Sequence, residues 1–248
     1  MRLLKRLKDG SVELSDHRPN DIPAYAILSH TWGHDDQEVI LYDIRNSVGQ
    51  RKAGFKKIDF CGKQAATDGL EYFWVDSCCI DKSSSAELQE AITSMFRWYQ
   101  KATKCYVYLS DVVSGEDKRH NNLLPPTWEP AFRKSRWFTR GWTLQELLAP
   151  QSVEFFSEDG DKLGDRASLE QLLHEITSIA IDALRGVDLS SFGIEERMSW
   201  LKGRETAREE DKAYSLVGIF DVSLWVNYGE RAEKAIERLR REINRPLG

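Results

Sequence analysis

Tyr25-Ala26-Ile27-Leu28-Ser29-His30-Thr31-Trp32-Gly33 (YAILSHTWG, 25–33) decides the fold. The apolar run that begins at Ala24 and ends at Leu28 is too short for a helix and carries no polar residue, so it reads as a buried strand. Ser29 to Gly33 then leave its carboxyl end as a polar loop. The same pattern recurs along the chain. YFWVD (72–76) is a second apolar strand, KCYVYL (104–109) a third rich in β-formers, and SVEFF (152–156) a fourth. Between the first two, Phe55, Ile58, Cys61 and Ala65 fall at helical spacing over 54–66. Before the third, Ser84-x-x-Glu87 is a capping box, and Leu88, Ile92, Met95 and Tyr99 form the apolar stripe of the helix it opens. Strands alternating with helices predict an α/β fold with a mostly parallel sheet covered on both faces.

Outside that pattern the chain changes character. Asp9-Gly10, between Arg2–Leu7 and Val12–Leu14, predicts an N-terminal hairpin within 1–23. The α/β core is expected over 24–157, with a loop around Pro125, Pro126 and Pro130. SRWFTRGWTLQELLAP (135–150) reads as a loop entering a short helix that stops before Pro150. From 158 to 248 the pattern is helical, over 169–179, 207–220 and 229–243. The last of these places Ala232, Ile236, Leu239 and Ile243 on one face. With no internal repeat and no low-complexity linker, 1–248 reads as one domain with a helical C-terminal elaboration.

Composition narrows the partners. The chain has 248 residues, 41% of them hydrophobic, which suffices for one sizeable core. A net charge of −5 counts against a nucleic-acid partner. No segment reaches the length of a membrane span, and MRLLKRLKDG lacks the apolar run of a secretory signal. Cys61, Cys78, Cys79 and Cys105 include no CxxC pair, and Cys78 and Cys79 alternate faces if extended. They read as free, buried thiols of a cytoplasmic protein, with no metal site.

Three blocks, YAILSHTWG (25–33), FWVDSCCIDK (73–82) and RGWTLQELLAP (140–150), resemble the fungal heterokaryon-incompatibility (HET) domain. CYVYLSDV (105–112), SRWFTRGW (135–142) and REEDKAYSLVGIF (208–220) extend the resemblance over nearly the whole chain. It departs at SLWVNYGERAEKA (223–235), where the family often carries an apolar-proline turn and a YGEG-like stretch. The resemblance implies a cell-death effector of vegetative incompatibility and innate immunity, often fused to a nucleotide-binding receptor and self-associating on activation. More distantly, Trp142-Thr143-Leu144-Gln145-Glu146-Leu147 is similar to the W-C-x-x-E-L helix of Toll/interleukin receptor (TIR) domains, with Thr143 in the Cys position. That implies a flavodoxin-like sheet. It also implies an NAD glycohydrolase whose essential glutamate is Glu146, with NAD as substrate rather than cofactor.

The residues support such a site in their own terms. Glu146 lies four residues after Trp142, so on a helix the two share a face. A carboxylate beside an indole suits a planar cation and can stabilise an oxocarbenium-like ribose. Ligands of open α/β sheets sit beyond the carboxyl ends of strands, which puts Ser29, His30, Trp32, Gly33 and Asp76 at the crevice. Cys78 is a further candidate there, as a substrate contact or a nucleophile with His30 as base. Arg136 and Arg140 are candidates for phosphate contacts. Each has a structural alternative: a turn for 29–33, a cap for Asp76, surface ion pairs for the arginines. Two functions stay open, an NAD-cleaving enzyme and a non-enzymatic module that signals by association.

Overall fold

A computed structural model describes residues 1–115 and 126–245. Part of the predicted proline-containing loop, including Pro125, lies outside the described residues; Pro130 lies inside the helix Glu129–Arg133. One seven-stranded sheet has the order β2-β1-β4-β3-β5-β6-β7. Its strands are β1 (Arg2–Arg6), β2 (Val12–Asp16), β3 (Tyr25–His30), β4 (Tyr72–Trp74), β5 (Lys104–Tyr108), β6 (Val153–Phe156) and β7 (Lys162–Asp165). The four strands predicted from apolar runs are present and mutually parallel, β4-β3-β5-β6. Counted among themselves they run 2-1-3-4, the beginning of the flavodoxin-like order. The chain order therefore reverses between β3 and β5, which makes that pair the topological switch point.

The helices form two layers. These are α1 (Leu41–Arg45), α2 (Phe55–Thr67), α3 (Asp76–Cys79), α4 (Ser85–Lys101), α5 (Glu129–Arg133) and α6 (Thr143–Leu148). Paired residues of parallel strands point to the same face. Leu28 pairs with Tyr106 and His30 with Tyr108. Phe60 of α2 packs on Tyr108 and Phe156 at ring distances of 5.1 and 5.0 Å, so α2 covers that face. Trp74 packs on Trp98 and Tyr99 of α4 at 5.5 and 6.0 Å, so α4 covers the opposite face, onto which Ile27 and Ser29 also point. Full burial of each such aromatic contributes roughly 1.5–3 kcal/mol.

The predicted N-terminal hairpin is present, with Gly10 at φ +86° in its turn, and β1 joins the sheet antiparallel to β4. Four expectations need correction. The region after 157 does not begin helical: β7 pairs antiparallel with β6. Its turn contains Asp159-Gly160, with Gly160 at φ +87°, the same dipeptide signal as at Asp9-Gly10. Asp76 does not end a strand; β4 stops at Trp74 and Asp76 opens α3, which also takes Cys78 and Cys79 out of the extended chain. The helix expected over 207–220 is confined to Asp211–Tyr214 and continues as tighter turns, such as Leu216 N–H to Ala213 O at 3.0 Å. The capping box is half formed. Ser84 Oγ accepts from Glu87 N–H, but the Glu87 carboxylate turns to Asp81 N–H and Arg2. Elsewhere the C-terminal helices are close to expectation, at Glu170–Thr177 and Ala232–Ile243. No helix among the described residues is long and apolar enough to cross a membrane.

Candidate functional site

Two hydrogen-bonded networks meet at the carboxyl end of β3. Alternation along the strand sends Ser29 and His30 to opposite faces. On the α4 side, Ser29 Oγ accepts from Trp137 Nε1–H at 2.8 Å and donates to Glu146 Oε2 at 2.5 Å. Ser29 and Trp137 are fully buried, and Glu146 is half-buried. Tyr99 donates its hydroxyl to Leu28 O at 3.0 Å on the same face of the sheet. Glu146 sits in α6, a six-residue helix that packs against β3 and α4.

On the other side, His30 Nε2–H donates to Asp76 Oδ1 at 2.8 Å; the acceptor-only carboxylate fixes that tautomer. Trp32 Nε1–H donates to Asp76 Oδ2 at 2.9 Å. Lys82 Nζ lies 3.7 Å from the same oxygen and 3.4 Å from the centroid of the Trp32 indole. The loop after β3 is fixed from below by Glu38. Its Oε2 accepts from Lys57 Nζ at 2.7 Å and from Gly33 N–H at 3.0 Å, while Lys57 also donates to Thr31 O.

The two carboxyls have opposite electrostatics. Burial pushes Glu146 up to about 8, and the Asp76 charge adds to it; the Ser29 hydrogen bond and the Arg140 charge oppose it. Burial also acts to raise Asp76, but the Lys82 charge and the His30 and Trp32 hydrogen bonds prevail and hold it well below the usual carboxylate range. One carboxyl is thus uncharged near neutrality and its neighbour is ionised, the separation that acid–base sites use.

The structure brings Ser29, His30, Trp32, Asp76 and Glu146 to one end of the sheet, beside the switch point. Gly33 is exposed at the loop's outer edge. Arg136 is exposed; its guanidinium donates to Trp32 O at 3.1 Å and its N–H to Asp111 Oδ2. Arg140 contributes charge toward Glu146, and its carbonyl accepts from the buried Arg204. Cys78 is fully buried, its thiol directed at Val75 O, and burial pushes it up. It is therefore not placed to touch a substrate or act as a nucleophile. The indole that bonds Ser29 is Trp137, at 2.8 Å, while the Trp142 N–H turns to Asp211 at 3.2 Å. Sequence reasoning missed Trp137, Lys82 and the Glu38–Lys57 pair, and read Tyr99 only as core. All four cysteines are free and buried, and the described residues contain no cluster of metal-ligating side chains.

Two open cavities lie elsewhere. One of about 330 Å³ is lined by Lys56, Phe60, Tyr108 and Glu158; one of about 570 Å³ by Trp128, Arg133, Leu163 and Leu169. Neither is lined by Ser29, Asp76 or Glu146.

The model of the heterokaryon incompatibility protein (HET) family matches residues 25–124, which contain β3, α2, β4, α4 and β5. The whole chain is 56% identical over 249 aligned residues to vegetative incompatibility protein HET-E-1 of Podospora anserina. The chain belongs to the HET family. It spans 18% of the length of that relative. No solved structure gives a significant match. The matched region of the HET domain supplies Ser29, His30, Trp32, Asp76 and Lys82, while Trp137 and Glu146 lie beyond it.

Proposed function

We propose that this HET domain is a cell-death effector of fungal vegetative incompatibility, and that it acts as a TIR-like NAD glycohydrolase through Glu146. The observation that carries the chemistry is the Ser29–Glu146 pair: a half-buried carboxyl, pushed up to about 8, hydrogen-bonded beside the sheet's switch point. Perturbed carboxyls with defined partners cluster at functional sites. Glu146 is mostly protonated at neutral pH before ligand binds. A cationic nicotinamide ring entering the site draws that proton off, because an opposite charge favours the ionised carboxylate. The glycosidic C–N bond then breaks with its electron pair leaving on nicotinamide. The carboxylate stabilises the ribosyl cation, and water adds at the same carbon and gives up its proton. NAD and water thus become nicotinamide, ADP-ribose and a proton.

Self-association of the domain is the event we assign to activation. The length of the relative supports the domain's being one part of a larger receptor. A second reading, an interaction module without chemistry, is favoured by one specific observation. Ile40, Tyr42 and Val48 are exposed by 41%, 66% and 41% on one short segment that contains α1.

The test compares wild type with Glu146→Gln, dilute and artificially clustered, for NAD consumption in vitro and for NAD content and viability in cells. Wild type should consume NAD when clustered and kill. Glu146→Gln should fold and do neither, losing about 10²–10³ or more in rate. Equal killing by Glu146→Gln removes Glu146 as the catalytic group. Killing by wild type without NAD loss replaces the enzyme with the association module.

A further inference from the structure

Lys82 is held in a way that no other lysine near the site shares. Its ammonium rests on the face of the Trp32 indole, 3.4 Å from the ring centroid. It stands 3.7 Å from Asp76 Oδ2, which is beyond hydrogen-bond length, so it acts on Asp76 as a point charge only. Its side chain is 36% exposed and springs from the loop between α3 and α4. Lys57 is the contrast: it makes a 2.7 Å hydrogen bond to Glu38 and is 8% exposed. Lys57 is locked, whereas Lys82 can swing out into water without leaving a hydrogen bond unmade. Trp32 and Asp76 stay put when it does, because the indole N–H and His30 both bond the Asp76 carboxylate.

We propose that Lys82 is a built-in occupant of a cation site formed by the Trp32 indole face and the Asp76 carboxylate, and that the ligand which displaces it is a planar pyridinium ring. An aromatic face beside a fixed anion attracts any cation, and a flat aromatic cation adds ring stacking that an ammonium lacks. Lys82 then acts as a gate, reducing the apparent affinity by the fraction of time its own ammonium fills the site. The assignment rests on the NAD reading for the identity of the pyridinium, but not on turnover by Glu146.

The test uses the full chain and the N-methylnicotinamide cation as probe, with indole N–H resonances read by NMR and Trp32 assigned through Trp32→Phe. Lys82→Met keeps the stem and removes the charge. It should bind the probe about tenfold more tightly than wild type, with the largest shift at Trp32 Nε1–H. Neutral nicotinamide should gain nothing, and Trp32→Ala in the Lys82→Met background should lose the site. Binding by Lys82→Met no tighter than wild type, no saturable binding by either, or shifts centred on another indole overturns the proposal. Because the readout is binding, Glu146→Gln combined with Lys82→Met should still bind. A failure of NAD cleavage with binding retained sinks the enzyme reading alone.

Discussion

Ser29 and Glu146, 117 positions apart, meet through a 2.5 Å hydrogen bond between the carboxyl end of β3 and the middle of α6. The serine is a relay as well as a donor, since its oxygen also receives the Trp137 indole N–H. Two stretches remote in sequence, β3 and the segment that carries both Trp137 and Glu146, are thereby tied at one hydroxyl, and the carboxyl they hold is one that burial pushes up to about 8.

Ser29→Ala should therefore destabilise more than the loss of one hydrogen bond would suggest. It leaves the Trp137 N–H buried without an acceptor, which costs about 1–3 kcal/mol. It also removes a donor that opposes the upward shift of Glu146. Urea unfolding at pH 7 should show a loss of about 2 kcal/mol. A variant as stable as wild type would mean that the triad contributes nothing to the fold.

The Glu38–Lys57 pair fixes the loop that carries Thr31 to Gly33. Both side chains are buried, with 2% and 8% exposure. Lys57→Met leaves a carboxylate buried without its counter-ion, a change that typically costs about 3–5 kcal/mol. Replacing Glu38 by Met as well should recover most of that loss, because the pair's desolvation penalty disappears with it. A double-mutant cycle by chemical unfolding checks this; simple additivity of the two losses would show that the residues are uncoupled.

The C-terminal elaboration packs against α4 through Gly218. A Cβ there would run into Phe96 Cβ, and a Cβ cannot rotate away. Gly218→Ala should cost about 1–3 kcal/mol or more by overpacking. At this chain length that lowers Tm by about 2–4 °C per kcal/mol, readable by calorimetry. An unchanged Tm would mean that the elaboration shifts freely on the core.

These sites show what the sequence carried and what it hid. The parallel core was legible because its strands are short apolar runs separated by helical periodicity. The switch-point loop was legible only in part: a polar stretch follows the first run, but its first two residues, Ser29 and His30, continue β3 and pair with β5. Glu146 and Ser29 could be put at the same end of the sheet from topology alone. Their direct bond could not, because it depends on which side of β3 the short α6 lies. Lys82 resembled an ordinary loop lysine; only coordinates show it over Trp32. Trp137 was missed because helical spacing says which face two residues share, not what that face meets. The strand β7 escaped because Lys162–Asp165 is a short edge strand with little apolar pattern, although Asp159-Gly160 marked its turn.

The last prediction concerns pH and follows from the direction in which the fold moves Glu146. Its carboxyl has an ordinary value of 4.5 and stands at about 8 in the fold. Below about 4.5 it is protonated in both folded and unfolded chains and contributes nothing to pH dependence. Between about 4.5 and 8 the unfolded chain has released the proton while the fold still holds it, so stability falls as pH rises. Above about 8 both are ionised and the penalty is constant. At roughly 1.4 kcal/mol for each tenfold change in proton affinity, the total is of the order of a few kcal/mol. Glu146→Gln lacks this penalty, so its stability relative to wild type should grow from pH 5 to pH 8 and then level off. Activity should move the opposite way. If the ionised carboxylate is the working form, kcat/KM for NAD should rise with pH through an apparent value near 8. A bound pyridinium should pull the kcat profile to lower pH, since the cation favours the carboxylate. Thermal unfolding and initial rates across pH 5 to 9 check both curves. A pH-independent stability difference between the two proteins would show that Glu146 is already ionised in the unliganded fold, and a rate that falls through pH 8 would assign it the role of a proton donor instead.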